Sequence, residues 1–391
     1  MKSHALASHP VPRSLRAPRP RSGVVRFVLD RFLLLPLGAA VALLWANLAG
    51  ESYFRVAHAL AFPVNEIGMA LFLALIAQET IESVMPGGAL HTFHRWGTAA
   101  IGAAGGLAGA ALTFAAYVSL SHEQVLLQAW PIACVIDMAA AYYLSRLIFR
   151  GRAAVSFVLV IAIVTNGVAL LVLAGWAPFS PSHVGSAAML GAAVALAALM
   201  RRRRVRAFWP YLGVCGPIAW WALYSAGMHP ALALVPLVPF IPRMARAGDP
   251  FADPPDDSPV HHAEHEWHEA VQVVLFLFGL VNAGVLLNDY DTGTWAVLAA
   301  AIVGRPIGIL AAVALAVAAG FHLPRTVGWS KLIVIALTTS PGFTLALFFA
   351  GGLLPVGAVL QQIKFGALAT VLGVAVTVIA ARGLSAGRFA R

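Results

Sequence analysis

Residues 161–169 read Ile-Ala-Ile-Val-Thr-Asn-Gly-Val-Ala and lie in the middle of an apolar stretch that covers 153–176. Apart from Ser156 and a terminal tryptophan, Thr165 and Asn166 carry its only hydrogen-bonding side chains. Polar groups at membrane depth are costly unless they face a cavity or a partner. The stretch is therefore predicted to span a membrane, with Thr165 and Asn166 on a transport path.

The composition of the whole chain is that of a helical membrane protein. Of its 391 residues, 60% are hydrophobic and 11% are charged, and the mean hydropathy is +0.83. These values lie far outside the soluble range and predict a polytopic α-helical protein. The formal net charge of +10 would suit nucleic-acid binding, but the arginines stand between apolar segments, as in cytoplasmic loops. No nucleic-acid partner is therefore expected.

Twelve apolar segments are long enough to span a bilayer. They cover about 32–49, 62–84, 97–120, 125–148, 154–176, 183–200, 207–227, 230–247, 270–288, 294–320, 332–354 and 362–382. Lysine and arginine concentrate in alternate loops, and the opposite loops hold little basic charge beyond Arg55. This asymmetry predicts twelve spans with both termini in the cytoplasm.

Two hydrophilic segments lie outside these spans. Residues 1–24 are basic and rich in proline, which predicts a disordered cytoplasmic tail that touches anionic lipid. Residues 25–391 are predicted to form one transmembrane domain, in which 248–269 is a hydrophilic loop. The histidines of that loop are spaced so that a zinc site is conceivable. A helix entry without cysteine is more typical of a solvated, pH-responsive surface, so no metal site is predicted. The histidines are His261, His262, His265 and His268.

Six short patches resemble the NhaA family of sodium/proton antiporters in order and spacing. They are Pro63–Met69, Trp130–Ala133 followed by Asp137, Gly227–His229, Asn282–Val285, Gly304–Gly308 and Pro341–Thr344. The stretch 161–169 is similar to the fifth span of that family, in which two adjacent aspartates occupy the places of Thr165 and Asn166. The chain thus resembles a divergent homologue that lacks the paired aspartates.

The resemblance implies an all-α fold of about twelve transmembrane helices. Spans three to five and ten to twelve would be inverted repeats, and spans four and eleven would be broken helices that cross near the bilayer midplane. Pro131 in span four, and Pro341 with Gly342 in span eleven, are compatible with such breaks, because proline removes a backbone donor and glycine loosens a helix. Ordinary proline kinks would explain these residues as well.

Two charged residues lie near the middle of predicted spans. Asp137 in span four is expected to have a partner or a proton at that depth. A carboxylate that binds either a proton or a cation is the minimal antiport device; the alternative is a cap on one half of the broken helix. Arg305 stands where the family has lysine, and arginine does not release its proton. We expect it to be a fixed counter-charge, either for Asp137, its natural ion-pair partner, or for the carbonyl ends of the broken helices.

Glu79 and Glu82 close span two near the predicted cytoplasmic face. The resemblance aligns Glu79 with a family glutamate tied to pH sensing. Two acids at positions i and i+3 share a helix face and would attract cations to an entrance. A solvated helix end explains them equally well.

Together these features predict a secondary transporter in the inner membrane of a bacterium. The resemblance implies exchange of sodium, or another monovalent cation, for protons in pH and sodium homeostasis. The predicted transport site consists of Asp137, Thr165, Asn166 and Arg305. Because Thr165 and Asn166 cannot carry protons, one-for-one electroneutral exchange is expected in place of the family's two protons per sodium.

The alternative is a degenerate antiporter scaffold without sodium exchange, which acts as a sensor or interaction protein or moves another solute. No nucleophile, phosphate-loop or dinucleotide motif stands out, so neither an enzyme nor a cofactor is predicted. The family forms dimers with the help of a β-hairpin between spans one and two. Here Gly50–Phe62 lacks an alternating strand pattern, so a homodimer rests on the resemblance alone.

Overall fold

Helices dominate the described part of the chain. The computed structural model describes residues 34–84, 93–149, 152–175, 184–205, 207–241, 261–324 and 326–389, and no strand occurs within these ranges. The α-helices are α1 (Leu34–Leu48), α2 (Gly50–Phe62), α3 (Met69–Val84), α4 (Phe93–Leu120), α5 (Trp130–Cys134), α6 (Met138–Ile148), α7 (Arg152–Gly175), α8 (Val184–Arg202), α9 (Gly216–Ser225), α10 (His261–Asn282), α11 (Thr292–Ala299), α12 (Arg305–Ala318), α13 (Trp329–Thr338), α14 (Phe343–Leu353), α15 (Ala358–Ala369) and α16 (Leu372–Gly383).

Shorter helical turns join several of these elements. Widened π-helical turns keep α2 continuous with α3 and α11 with α12, and another precedes α9. Tighter 3₁₀ segments precede α5, follow α9 and end the described chain. The π segments are Pro63–Gly68, Tyr211–Cys215 and Ala300–Gly304, and the 3₁₀ segments are Gln124–Ala129, Pro230–Phe240 and Gly387–Phe389.

The prediction of a multi-pass helical membrane protein is confirmed. In the described ranges, 6 helices are long and apolar enough to cross a membrane, and up to 8 if each of two bent pairs is one span. Three further apolar helices are shorter: Leu34–Leu48, Pro230–Phe240 and Val271–Asn282. Each of the twelve predicted segments contains helix, but the count of twelve spans stays a prediction.

The backbone at Gly50–Phe62 and at the start of α10 tests two expectations from the sequence. Gly50–Phe62 is helical, in line with the missing strand pattern. Helix α10 already begins at His261, so the hydrophilic loop is shorter than the predicted 248–269. Its polar amino-terminal turns have no proline after residue 259, and a continuous helix pairs their backbone groups. The tail 1–24 and the loop residues 242–260 lie outside the described ranges.

Spans four and eleven are both bent. The segment Gln124–Cys134, which ends in α5, meets α6 at 54°, and α13 meets α14 at 44°. Pro341 and Gly342 lie in the second break, as predicted. Pro131 does not lie in the first break but in the first turn of α5, where a helix needs no backbone donor. The first break comes later in the chain, at residues 135–137.

Helices α4 and α12 cross through glycine contacts. A Cβ atom added to Gly109 would lie 2.3 Å from the carbonyl oxygen of Gly304, and one added to Gly308 would lie 2.1 Å from that of Gly105. Only residues without a side chain allow such a close approach of two helix backbones. The contact holds Arg305, which follows Gly304 in the chain, against the broken spans.

Buried polar side chains gather around the two breaks. Most of the remaining interior is alanine, leucine, valine, isoleucine and phenylalanine. Among the described residues, the buried polar residues on the broken spans are Asp137, Ser145, Thr338, Thr339, Ser340 and Thr344, and those on α7, α12 and the last span are Thr165, Asn166, Arg305, Thr370 and Thr377.

Candidate ion-transport site

The two helix breaks are in direct contact. The backbone amide of Asp137 donates to the carbonyl oxygen of Pro341 at 2.9 Å. Gly342 packs so closely on Val135 that an added Cβ would lie 2.5 Å from the carbonyl oxygen of Val135. Each break frees backbone groups that a continuous helix would pair internally. Four helix ends therefore meet inside an apolar interior.

The guanidinium group of Arg305 binds the carboxyl ends of two half-helices. Its Nη2 atom donates to the carbonyl oxygens of Ala133 at 2.6 Å and Val135 at 2.8 Å. Its Nη1 atom donates to those of Thr339 at 2.5 Å and Ser340 at 3.4 Å. The residue is 1% exposed. Because the carboxyl ends of helices carry partial negative charge, this fixed positive charge compensates the ends of both α5 and α13.

Asp137 occupies the amino ends of the other two half-helices. It is the N-cap of α6 and accepts a hydrogen bond from the amide of Ala140 at 3.0 Å. The hydroxyl group of Thr344, in the first turn of α14, donates to the other carboxylate oxygen. Amino ends of helices are positively polarised and favour an anion. The capping role expected as an alternative is confirmed, and the same buried carboxylate stays the candidate for proton and cation binding.

The expected ion pair between Asp137 and Arg305 is not formed. In the described ranges, the ion pair between permanently charged groups within 4.0 Å joins Arg55 to Glu51, and a further contact of 3.5 Å joins the His229 ring to the carboxylate of Glu66. Arg305 instead takes the second of the two expected roles: its positive charge compensates the partial negative charge at the carbonyl ends of the broken helices. The physical reason is the break geometry, which directs helix ends of opposite polarity toward the two charges.

Asn166 is bound to the first break by both ends of its amide group. Its Nδ2 atom donates to the carbonyl oxygen of Ile136 at 3.0 Å, and its Oδ1 atom accepts the backbone N–H of Ile136 at 3.3 Å. Thr165 is 2% exposed, and its hydroxyl group makes no hydrogen bond within the described ranges. The two residues predicted to line the transport path thus lie at the break, but only Thr165 has an uncommitted oxygen.

Three threonines that are not among the predicted site residues complete the site. Thr344 binds Asp137. The hydroxyl oxygen of Thr370 accepts the amide of Gly342 at 3.2 Å, and that of Thr377 donates to the carbonyl oxygen of Leu337 at 2.9 Å. Two of them, Thr370 and Thr377, have a signal in the sequence: they are spaced by about two helical turns in the apolar part of the last span that follows Lys364.

A second polar cluster lies at the far end of α14. The Nδ1 atom of His229 lies 3.5 Å from a carboxylate oxygen of Glu66, and Asn282 donates to Asn65 at 2.7 Å. A Cβ atom added to Gly352 would lie 2.8 Å from the His229 ring. Because α14 begins at the Asp137 site, this helix connects the two polar clusters.

The side chains of the remaining predicted residues lie outside the described part of the structure. Glu79 and Glu82 lie in the carboxyl-terminal half of α3, but their side chains fall outside the described part, as do those of the histidine cluster. Among the described residues, no group of three or more histidine, cysteine or acidic side chains could hold a metal ion.

Comparisons with known proteins agree with this architecture. The family model described as Na+/H+ antiporter 1 matches residues 31–381. The chain is 38% identical over 341 residues to the Na(+)/H(+) antiporter NhaA of Desulfitobacterium hafniense, a match that covers 84% of this chain and 87% of the relative. It is 37% identical over 327 residues to that of Geobacter metallireducens, with 80% and 85% covered.

A solved structure shows the same fold at much lower sequence identity. The sodium proton antiporter MjNhaP1 from Methanocaldococcus jannaschii, solved at pH 8, superposes with a TM-score of 0.55 at 13% identity and covers 91% of both chains. The family model and the NhaA relatives both cover most of the sequence. On these grounds the chain belongs to the NhaA-type Na+/H+ antiporter family.

Proposed function

We propose that this protein exchanges sodium ions for protons across a bacterial inner membrane. The family is one of transporters rather than enzymes, and the relatives described above carry the name Na(+)/H(+) antiporter. The observation that carries the proposal is the buried carboxylate of Asp137 at the crossing of two broken helices. A proton and a cation compete for this group.

The surroundings of Asp137 suit that competition. The amide of Ala140 and the hydroxyl group of Thr344 donate to the carboxylate, and hydrogen bonds of this kind stabilise the ionised form that binds a cation. Arg305 neutralises the opposite helix ends without taking a proton itself. The hydroxyl oxygen of Thr165 is a neutral ligand candidate nearby on α7. Release of one proton from Asp137 then accompanies binding of one cation.

The proposed stoichiometry follows from the number of buried acids. Among the described residues, Asp137 is the only buried acidic residue. One titrating carboxylate exchanges one proton for one sodium ion, so no net charge crosses the membrane. This differs from the two protons per sodium that the resemblance implies for the family.

Purified protein in liposomes tests the proposal. We expect a sodium gradient to drive proton movement in the wild type and not in Asp137→Asn. A potassium gradient with valinomycin sets the membrane potential, and the exchange rate is expected to be independent of it. A rate that follows the potential would exclude one-for-one exchange. A wild type without sodium-driven proton movement would favour the alternative, an antiporter scaffold that has lost sodium exchange.

Several finer features belong to the same proposal. Both termini lie in the cytoplasm, residues 1–24 contact anionic lipid, and the protein forms a homodimer. Glu79 and Glu82 form a pH-responsive cytoplasmic entrance. Cysteine-accessibility labelling at both termini and at position 82, in right-side-out and inside-out vesicles, tests the orientation.

A further inference from the structure

The residue before Asp137 is held by a single side chain. Ile136 lies in the extended break, where its backbone N–H and C=O cannot pair within a helix. The amide group of Asn166 binds both, at 3.3 Å and 3.0 Å. Within the described ranges, no other hydrogen bond to these two backbone groups is found.

The two hydrogen bonds from Asn166 to Ile136 form a clamp on the first break. This clamp is connected to the second broken span. Asn166 on α7 binds Ile136, and the next backbone amide, that of Asp137, donates to Pro341 at 2.9 Å. Three spans are therefore linked through two consecutive residues of the first break. The side chain of Asn166 is fully buried, so water does not replace the clamp.

We propose that Asn166 is a positioning residue, which acts through Ile136 to hold the Asp137 carboxylate, and is not a ligand of the transported cation. The proposal rests on the proposed role of Asp137 in sodium/proton exchange. Its chemical basis is the amide group, which has a donor and an acceptor, whereas an ionised carboxylate has acceptors only. Aspartate at position 166 would therefore place an oxygen against the carbonyl oxygen of Ile136.

The change Asn166→Asp separates the two roles, because it conserves the shape of the side chain. A protonated carboxyl group can still donate and accept, whereas an ionised one breaks the clamp. Position 166 is fully buried, and burial favours the neutral form of a carboxylic acid. Sodium-driven proton flux in liposomes is therefore measured at about pH 6.5 and about pH 8.5, so that the acid is mostly neutral at the lower pH and mostly ionised at the higher one. We expect the maximal rate, relative to wild type at the same pH, to fall about tenfold or more at the higher pH and to recover at the lower pH.

Ser156→Asp is the matched control. It adds a carboxyl group at an exposed position of the same helix, α7, away from the break. We expect its rate relative to wild type to lack the selective loss at the higher pH. If Asn166 were a cation ligand, Asn166→Asp would instead lower the half-saturating sodium concentration and keep the maximal rate. That result would overturn the proposal.

Hydrogen–deuterium exchange of the peptide covering 135–139 gives a readout that does not depend on transport. We expect faster exchange in Asn166→Asp than in wild type or Ser156→Asp at the higher pH. Equal exchange in all three proteins would overturn the clamp. If the exchange data confirm the clamp but the wild type shows no sodium-driven proton flux, the proposed function is refuted and the clamp is not. If Asn166→Asp does not fold, Asn166→Gln, which keeps both groups but displaces them, must show the faster exchange.

Discussion

Arg305 and Asp137 bind opposite electrical ends of the same crossing rather than each other. The guanidinium group lies on the carbonyl ends of α5 and α13, and the carboxylate lies on the amino ends of α6 and α14. Each charge is thus balanced by helix ends. The consequence is that the two residues can be altered independently, which an ion pair would not allow.

Asp137→Asn should abolish sodium-driven proton flux with little loss of stability. Asparagine is as good an N-cap as aspartate, and no ion-pair partner is left behind, so we expect the free energy of unfolding to change by less than about 1 kcal/mol. Thermal unfolding in detergent and flux in liposomes measure the two effects. Rescue of a large stability loss by adding Arg305→Met would show that the two residues are paired after all.

Arg305→Met should destabilise the protein strongly. It leaves the carbonyl oxygens of Ala133, Val135, Thr339 and Ser340 without their donor in a buried site, and we expect a loss of about 3–5 kcal/mol. Arg305→Lys keeps the charge and up to three donors, so it should retain part of that stability. Denaturation of both variants in the same detergent provides the comparison. Equal stability of the methionine and lysine variants would contradict the charge-balancing role.

Gly308→Ala should separate α4 from α12. The new methyl group would meet the carbonyl oxygen of Gly105 at 2.1 Å, and overpacking of this kind costs about 1–3 kcal/mol. Because Arg305 lies on the same helix, sodium-driven flux should fall as well. Gly191→Ala on α8 is the control, since nothing lies within 4 Å of its added Cβ. A Gly308→Ala variant as stable and active as this control would refute the close packing.

Thr344→Val should change the pH dependence of flux. The hydroxyl group of Thr344 donates to the Asp137 carboxylate, and such a donor favours the ionised form over the protonated form. Without it a proton competes better with sodium, so half-maximal flux at a fixed sodium concentration should require a higher pH. Thr344→Ser keeps the hydroxyl group and should behave like wild type. An unchanged pH profile in the valine variant would exclude Thr344 from the site.

The fold class and the family could be predicted from the sequence because their signals are local. Runs of apolar residues mark membrane helices wherever they pack, and Pro341 with Gly342 marks the second break. Pro131 does not mark the first break, which lies at residues 135–137, because a proline in the first turn of a helix is no obstacle to that helix.

The sequence by itself determined that this chain is a multi-span helical protein with a carboxylate, an arginine and a Thr165–Asn166 pair at membrane depth. Only the tertiary structure decided what each of these groups binds. Asp137 meets Thr344 on another span, Arg305 meets carbonyl groups of both breaks, and Asn166 clamps Ile136. Hydrophobic pattern is a property of neighbouring residues along the chain. Hydrogen-bond partners, by contrast, depend on how distant helix ends cross, and that geometry exists only in the folded protein.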